Sequence, residues 1–252
     1  TLLCLERHAT SKIRSAADLT TIHSMGFRGE AIPSIAAISK FTLISNGSDA
    51  EDKASMVLVD GGSIIKHCDT VRTRGTTVEI KSLFFNVPVR KKFQKTISAD
   101  NAAVHKVISA HALCNPAVKF TFISNDTKIF ALSPWSEDIK EGMKQRINEL
   151  LGEEFSSSLI PISYQEGPYD IQGFIGMPSM TRHNKTGQHL FINNRPVISP
   201  VVSSAVTDAY STALATHRHP LFVLHLAMDP ELVDINVHPQ KRDVRFQDKN
   251  GI

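Results

Sequence analysis

Gly26-Phe27-Arg28-Gly29-Glu30-Ala31 is the stretch from which the fold of this chain is read. Two glycines three apart, just before the apolar run Ala31 to Ile38, mark a turn entering a buried helix. Backbone N–H groups converge at such a turn, and a helix start adds partial positive charge, so the geometry also suits an anion. Arg28 adds a guanidinium able to pair with phosphate. A lone G-x-x-G serves a plain helix entry equally well, and both readings stay open at this point. Pro33 fits the helix only within its first turn.

Outward from that turn the pattern is mixed. Leu2 to Ile22 is compatible with helix but carries the polar run His8-Ala9-Thr10-Ser11-Lys12. Downstream, Phe41 to Ser45 and Met56 to Val59 are strand-like, and Asp60-Gly61-Gly62 predicts a hairpin with Ser63 to Lys66 returning. Thr76 to Ile80 alternates as a strand. Val104, Val107, Ile108 and His111 recur at helical spacing between Ala102 and Leu113, and Asn115-Pro116 closes that helix. Val118 to Ile123 and Lys128 to Leu132 form a second hairpin. Ser133-Pro134-Trp135-Ser136 predicts the boundary between a first domain, residues 1–132, and a second, residues 133–252.

In the second domain Ile139, Met143, Ile147, Leu150 and Leu151 share one helix face, and Gly152 stops that helix. Strands follow at Tyr169 to Ile175 and His189 to Asn193. Ser199-Pro200 is an N-cap and N1 pair for a helix running to about Leu214, and Leu221 to Leu226 is a buried strand. A strand ending near Ile198, this helix and the strand at Leu221 make a β-α-β unit. The fold class is α+β in both halves, without internal repeats.

The chain has 252 residues, 41% hydrophobic and 21% charged, with 28 Lys and Arg against 25 Asp and Glu, a net charge of +3. That content buries a sizeable core and excludes a disordered chain or a disulfide-stapled miniprotein. The longest apolar stretches fall far short of the ~20 residues of a membrane-spanning helix. No charged leader precedes an apolar segment. Cys4, Cys68 and Cys114 are single and scattered, the usage of reduced thiols in a cytosolic or nuclear protein. The chain opens on Thr1 and is read as a fragment or processed product.

Three more stretches carry candidate chemistry. In Arg74-Gly75-Thr76-Thr77-Val78-Glu79-Ile80 the Thr76 hydroxyl suits hydrogen bonding to a base, although β-branched residues also simply favour a strand. Arg90-Lys91-Lys92, with Lys95 one turn on, is either a phosphate-backbone patch or a solvated face. In Asn236-Val237-His238-Pro239-Gln240-Lys241 the proline fixes a turn that projects Lys241. His217, His219 and His225 lack acidic or cysteine partners at metal-site spacing, so no metal site is expected.

Singly these stretches decide little, but their order does. Arg7 to Ile13, Gly26 to Ala31, Gly75 to Val78, Leu83 to Phe93, Phe191-Ile192-Asn193-Asn194-Arg195 and Asn236 to Lys241 together resemble the N-terminal region of MutL-type DNA mismatch-repair proteins, members of the GHKL ATPase superfamily. The resemblance covers essentially the whole chain. It implies the later part of a GHKL-type ATPase sandwich, holding the ATP lid and phosphate loop, and then a ribosomal-protein-like α/β transducer domain. It also implies a left-handed β-α-β crossover there, where about 98% of parallel crossovers are right-handed.

The resemblance further implies ATP and Mg²⁺ as cofactors of the intact protein. Thr10, Ser11 and Lys12 would form the lid, Gly26, Phe27, Arg28 and Gly29 the triphosphate cradle, and Thr76 would lie near adenine. Lys241 would reach the γ-phosphate, and Arg195 would contact DNA, to which the basic run Arg90, Lys91 and Lys92 adds candidate contacts on its own composition. The family usually has Asn-Gly-Arg where this chain has Asn193-Asn194-Arg195, which matters because glycine takes a positive φ readily and asparagine less so. No Glu here has Asn four residues later, and Asp60-Gly61-Gly62-Ser63-Ile64 lacks the last glycine of D-x-G-x-G. Both the catalytic E-x-x-x-N motif and the adenine motif are therefore expected before Thr1, and no catalytic residue is assigned within the chain. The implied partners are DNA, a mismatch-recognition protein, a strand-processing nuclease or helicase, and a second or paralogous subunit, in the cytoplasm or a nucleus and away from membranes. A non-catalytic DNA-binding and interaction module is the alternative.

Overall fold

The turn at Gly26–Gly29 leads into α1, Ala31–Ala36, whose buried Pro33 lies in the first turn as its missing N–H requires. The computed structural model describes residues 1–13, 25–135, 139–234 and 244–247, which fall into two units, Thr1–Thr96 and Ile97–Ile252. In the first unit β1 (Lys40–Asn46), β2 (Ala54–Asp60), β3 (Ser63–Thr70) and β4 (Gly75–Lys81) form one antiparallel sheet in the order β3-β2-β1-β4. Phe41 pairs with Val59 and Leu43 with Val57, and these four side chains with Ala36 make the core, against which Cys4, Leu5, Ile32 and Ile35 pack. The predicted hairpin is present: Gly61 (φ +55°) and Gly62 (φ +94°) supply the two left-handed residues of its two-residue turn. β4 is an edge strand, and its Val78 and Ile80 remain 46% exposed. α2, Pro88–Lys92, begins on a proline at N1.

The second unit opens with α3, Ile97–Cys114, which starts five residues before the predicted helix. Only its last turn, Ala112 to Cys114, is buried, while Val104 and Val107 of the predicted apolar face are 47% and 39% exposed. The hairpin of β5 (Phe120–Ser124) and β6 (Thr127–Leu132) follows, then α4 (Ile139–Leu151) and α5 (Glu153–Ser157). The strands β7 (Leu159–Glu166), β8 (Tyr169–Gly176), β9 (Thr181–Arg182), β10 (Gln188–Ile192) and β11 (Arg195–Val197) come next. They precede α6 (Pro200–Tyr210), β12 (His219–Pro220), β13 (Phe222–Ala227), β14 (Val233–Asp234) and β15 (Arg245–Phe246).

Five of these strands make a mixed sheet in the order β11-β10-β13-β8-β7. Its central strands are covered on both faces. Phe174, Phe191 and Val223 join Leu113, Met143, Ile147 and Phe155 in one cluster, while Leu190, Ile192, Phe222 and Leu224 join Val202 and Val233 in the other. Burial on both faces is why Leu221 to Leu226 is a continuous apolar run and not an alternating one.

Two expectations about this unit are corrected, and one strand was missed. The units divide at Thr96/Ile97 and not at residue 132, because α3 and the β5–β6 hairpin are bonded into the same body as α4: the Arg146 guanidinium of α4 donates to the carbonyls of Ala112, Pro116, Val118 and Ser133 at 2.8–3.1 Å. The strand before α6 is antiparallel to its neighbour β10. The parallel pair is β10 with β13, and β11 and α6 both lie in the connection between them. β7, paired along β8 from Leu159↔Gly176 to Glu166↔Tyr169, was not anticipated. α6 itself is capped as read, with the Ser199 hydroxyl accepting from the Val202 N–H at 3.2 Å, and ends at Tyr210, four residues short.

Candidate functional site

The His8–Lys12 and Gly26–Gly29 segments meet in the first unit, at Gly29. Its φ is +63°, a conformation glycine adopts without a Cβ penalty, and a Cβ placed there would sit 2.3 Å from the Ala9 carbonyl oxygen. Only a residue without a side chain lets the two backbones approach this closely. The His8 N–H donates to the Gly29 carbonyl at 3.1 Å, and His8 itself has φ +66°. Across the same contact His8 Nδ1 lies 3.3 Å from Glu30 Oε1, an exposed pair of little energetic weight.

The junction presents hydroxyls and cations. Ser11, Lys12 and Arg28 are exposed, Thr10 is half-buried, and Phe27 is buried and roots the loop. The Thr10 hydroxyl accepts from the Lys12 N–H at 3.2 Å, which bends the lid segment back on itself. Two cations and two hydroxyls on segments held together by main-chain contact are suited to the oxygens of a polyphosphate. The structure thus joins the two segments that carry the predicted nucleotide residues Thr10 to Lys12 and Gly26 to Gly29 through the contact of His8 and Ala9 with Gly29.

Thr76 stands elsewhere, on edge strand β4, where its hydroxyl is 2.9 Å from that of its cross-strand partner Ser45. Lys241, with Pro239, lies outside the described residues. Arg90, Lys91 and Lys92 are exposed on the last turn of α2, where cations also complement the helix dipole.

Arg195 differs from expectation. It begins β11 and is 3% exposed, and burial pulls the guanidinium pKa below its ordinary value. The reason lies in the preceding turn. Asn193 (φ +47°) and Asn194 (φ +61°) form a two-residue left-handed turn that folds β11 straight back along β10, and Ile192 pairs with Arg195. The side chain is therefore enclosed by the unit and not presented as a surface cation. Asn193 was missed as a structural residue. Its side chain accepts from the Met228 N–H and donates to the Met228 carbonyl, both at 3.0 Å, and the Asn-Asn pair between two apolar runs was the available signal.

Among the described residues no three His, Cys, Asp or Glu side chains gather to hold a metal ion. Among the same residues no helix is long and apolar enough to cross a membrane. Cys4, Cys68 and Cys114 are free thiols, and burial pushes that of Cys114 up to about 12.

The fold and the loop place the chain in the GHKL class, an ATPase-type portion followed by a transducer unit. A B-subunit of DNA gyrase from Myxococcus xanthus matches 94% of this chain and 74% of its own at TM-score 0.54 and 10% identity, a likeness of fold alone. A solved N-terminal domain of a DNA repair protein matches more tightly, at TM-score 0.74 and 28% identity over 89% of this chain and 71% of that one. The ATPase domain of Aquifex aeolicus MutL, solved with ADP, matches at TM-score 0.63 and 25% identity over 86% of this chain and 76% of that domain.

Within the class, the sequence is similar to MutL-type proteins, as the motifs implied. Residues 147–252 match the family described as DNA mismatch repair protein, C-terminal domain. DNA mismatch repair protein MutL of Symbiobacterium thermophilum is 39% identical over 245 residues, 97% of this chain and 38% of that protein. The chain spans about two fifths of the length of the MutL relatives it matches.

Proposed function

We propose that this chain is the nucleotide-responsive part of an ATP-driven mismatch-repair matchmaker. Thr10, Ser11, Lys12, Gly26, Phe27, Arg28 and Gly29 hold the triphosphate of ATP–Mg²⁺ in the intact protein, Thr76 lies toward adenine, and Lys241 senses the γ-phosphate. Nucleotide state then controls dimerisation, DNA contact through Arg90, Lys91 and Lys92, and recruitment of mismatch-recognition and strand-processing partners in the cytoplasm. The observation that carries the reading is the seat of Gly29 on the Ala9 backbone, which joins the two motif segments into one polar junction. The ADP complex of the Aquifex aeolicus domain supports nucleotide as the ligand.

Fluorescent ATP-analogue binding by the full-length protein tests it. Forcing a Cβ into the left-handed backbone costs about 1–2 kcal/mol before any clash, so Gly29→Ala is expected to weaken binding about tenfold or more. Arg28→Ala, at an exposed position, is expected to weaken it too. Unchanged affinity in both variants would overturn the assignment. Lys241→Ala is expected to slow hydrolysis while leaving ADP affinity unchanged, because only a triphosphate reaches that ammonium.

A further inference from the structure

We infer that the β9–β12 ladder of the second unit is a contact platform for a nucleic-acid phosphate backbone. It gathers cations from two stretches of chain, Arg182-His183-Asn184-Lys185 and His217-Arg218-His219, through the pairing of His219 with Arg182 and of Pro220 with Thr181. Arg182, His183, Lys185 and His217 are exposed, and Arg218 is half-buried. A solvated protein face normally intersperses both signs of charge. The stretch of sequence that builds this one is poor in negative charge: Asp208 is the only acidic residue between Asp170 and Asp229. The Asp208 carboxylate accepts from the Ser204 hydroxyl of its own helix at 3.4 Å. Among the described residues no carboxylate pairs with Arg182, Lys185 or Arg218.

The platform is also held in place. Arg218 donates from Nε to the Thr181 hydroxyl at 2.7 Å and from Nη2 to the Thr181 carbonyl at 2.9 Å, and its Nη1 meets His183 Nε2. Asn184 Oδ1 accepts from the Thr186 N–H at 3.0 Å, which fixes the turn bearing Lys185. Beneath it, Gly187 leaves no room for a Cβ, which would meet Leu221 Cδ2 at 2.2 Å. Gln188 is tied to Ser203 Oγ at 2.7 Å and to the Pro220 carbonyl at 3.3 Å. Arg218, anchored to the fold and without a carboxylate partner among the described residues, loses little freedom on meeting phosphate. Arg182 and Lys185 project from backbone that is itself fixed, and each contact releases condensed counterions.

The inference rests on the proposed DNA contact of this protein and adds a second set of residues to it. The test is duplex-DNA binding by the full-length protein, followed by fluorescence anisotropy across a salt series. Arg182→Glu with Lys185→Glu is expected to weaken binding and to flatten the plot of log K against log salt by about 0.9 for each lost phosphate contact. Arg182→Gln with Lys185→Gln, which introduces no repulsion, should flatten it equally, and Arg182→Lys should restore most of the slope. Wild-type protein that binds with strong salt dependence, alongside variants with unchanged slope, overturns the platform alone. Wild-type protein that does not bind DNA at any salt overturns both readings. Competition by polyglutamate as effective as that by DNA identifies an acidic-peptide surface and overturns the assignment to nucleic acid.

Discussion

At the scale of single residues, the strongest constraints are backbone positions that take a left-handed φ. Gly29 reads from sequence as one half of a glycine pair, and the structure gives the reason in the approach of Ala9. Asn194 carries the other constraint. The family resemblance leads one to expect glycine there, yet asparagine holds φ +61° because its short polar side chain tolerates that region better than most. Asn194→Gly is therefore expected to leave thermal stability within about 1 kcal/mol of wild type. Asn193→Ala removes both bonds to Met228 and leaves the main-chain groups of that buried residue unpaired, at a cost of about 1–3 kcal/mol. Denaturant titration of the two single variants separates them, and equal losses would show that the turn depends on backbone conformation alone. Arg195 was illegible for a related reason. A charged residue after a turn reads as exposed, and nothing in the sequence shows that the turn folds it inward.

At the scale of elements, periodicity located α4 correctly, with Met143 and Ile147 buried as its spacing required. It gave no account of Arg146, a fully buried residue on the same helix. A buried guanidinium is stable only when its donors find acceptors, and here the acceptors come from the end of α3, the loop after it and the end of β6, 13 to 34 residues away in sequence. Phe120 faces the guanidinium at 5.8 Å, and Glu149 Oε2 lies 3.7 Å from its Nε. Those long-range carbonyls also explain why Ser133-Pro134 looked like a domain boundary and is not one. Arg146→Met preserves apolar volume but strands the carbonyls, and is expected to cost about 3 kcal/mol or more, since each buried acceptor left unpaired costs about 1–3 kcal/mol. Equilibrium unfolding in urea measures it. A loss under about 1 kcal/mol would mean that water replaces the guanidinium and that the elements hold together by apolar packing.

At the scale of the whole molecule, the two mixed α+β halves and most strands were legible because hydrophobic patterning is a local signal. The division into units and the order β11-β10-β13-β8-β7 were not, since they depend on which distant segments share a buried face. That sharing places two histidines inside the second unit. His189 on β10 and His225 on β13 stand on the sheet face that holds Phe191 and Phe155, with ring separations of 4.6 Å for His225–Phe191 and 6.4 Å for His189–Phe155. Burial lowers the pKa of each from 6.5 to about 4, and the positive charge of Lys106 adds to the effect at His189. Among the described residues, His225 Nε2 has no hydrogen-bond partner. Gln172, the strand neighbour of His225, directs its amide to Asp170, at 3.1 Å from Oδ2. The unfolded chain takes up these protons near pH 6.5, whereas the folded chain resists until about pH 4. Stability is therefore complete above about pH 6.5 and is lost progressively as pH falls toward 4, by up to roughly 3 kcal/mol for each histidine. Urea midpoints measured from pH 7.5 to 4.5 should fall steeply in the wild type and less steeply in His225→Phe, which keeps the aromatic contact but cannot take up a proton. Carboxylates titrating in the same window act equally on both proteins, so the difference between the two curves isolates the histidine. Parallel curves would mean that His225 gains a proton in the folded state as readily as in the unfolded one, and that its burial is relieved by water reaching Nε2.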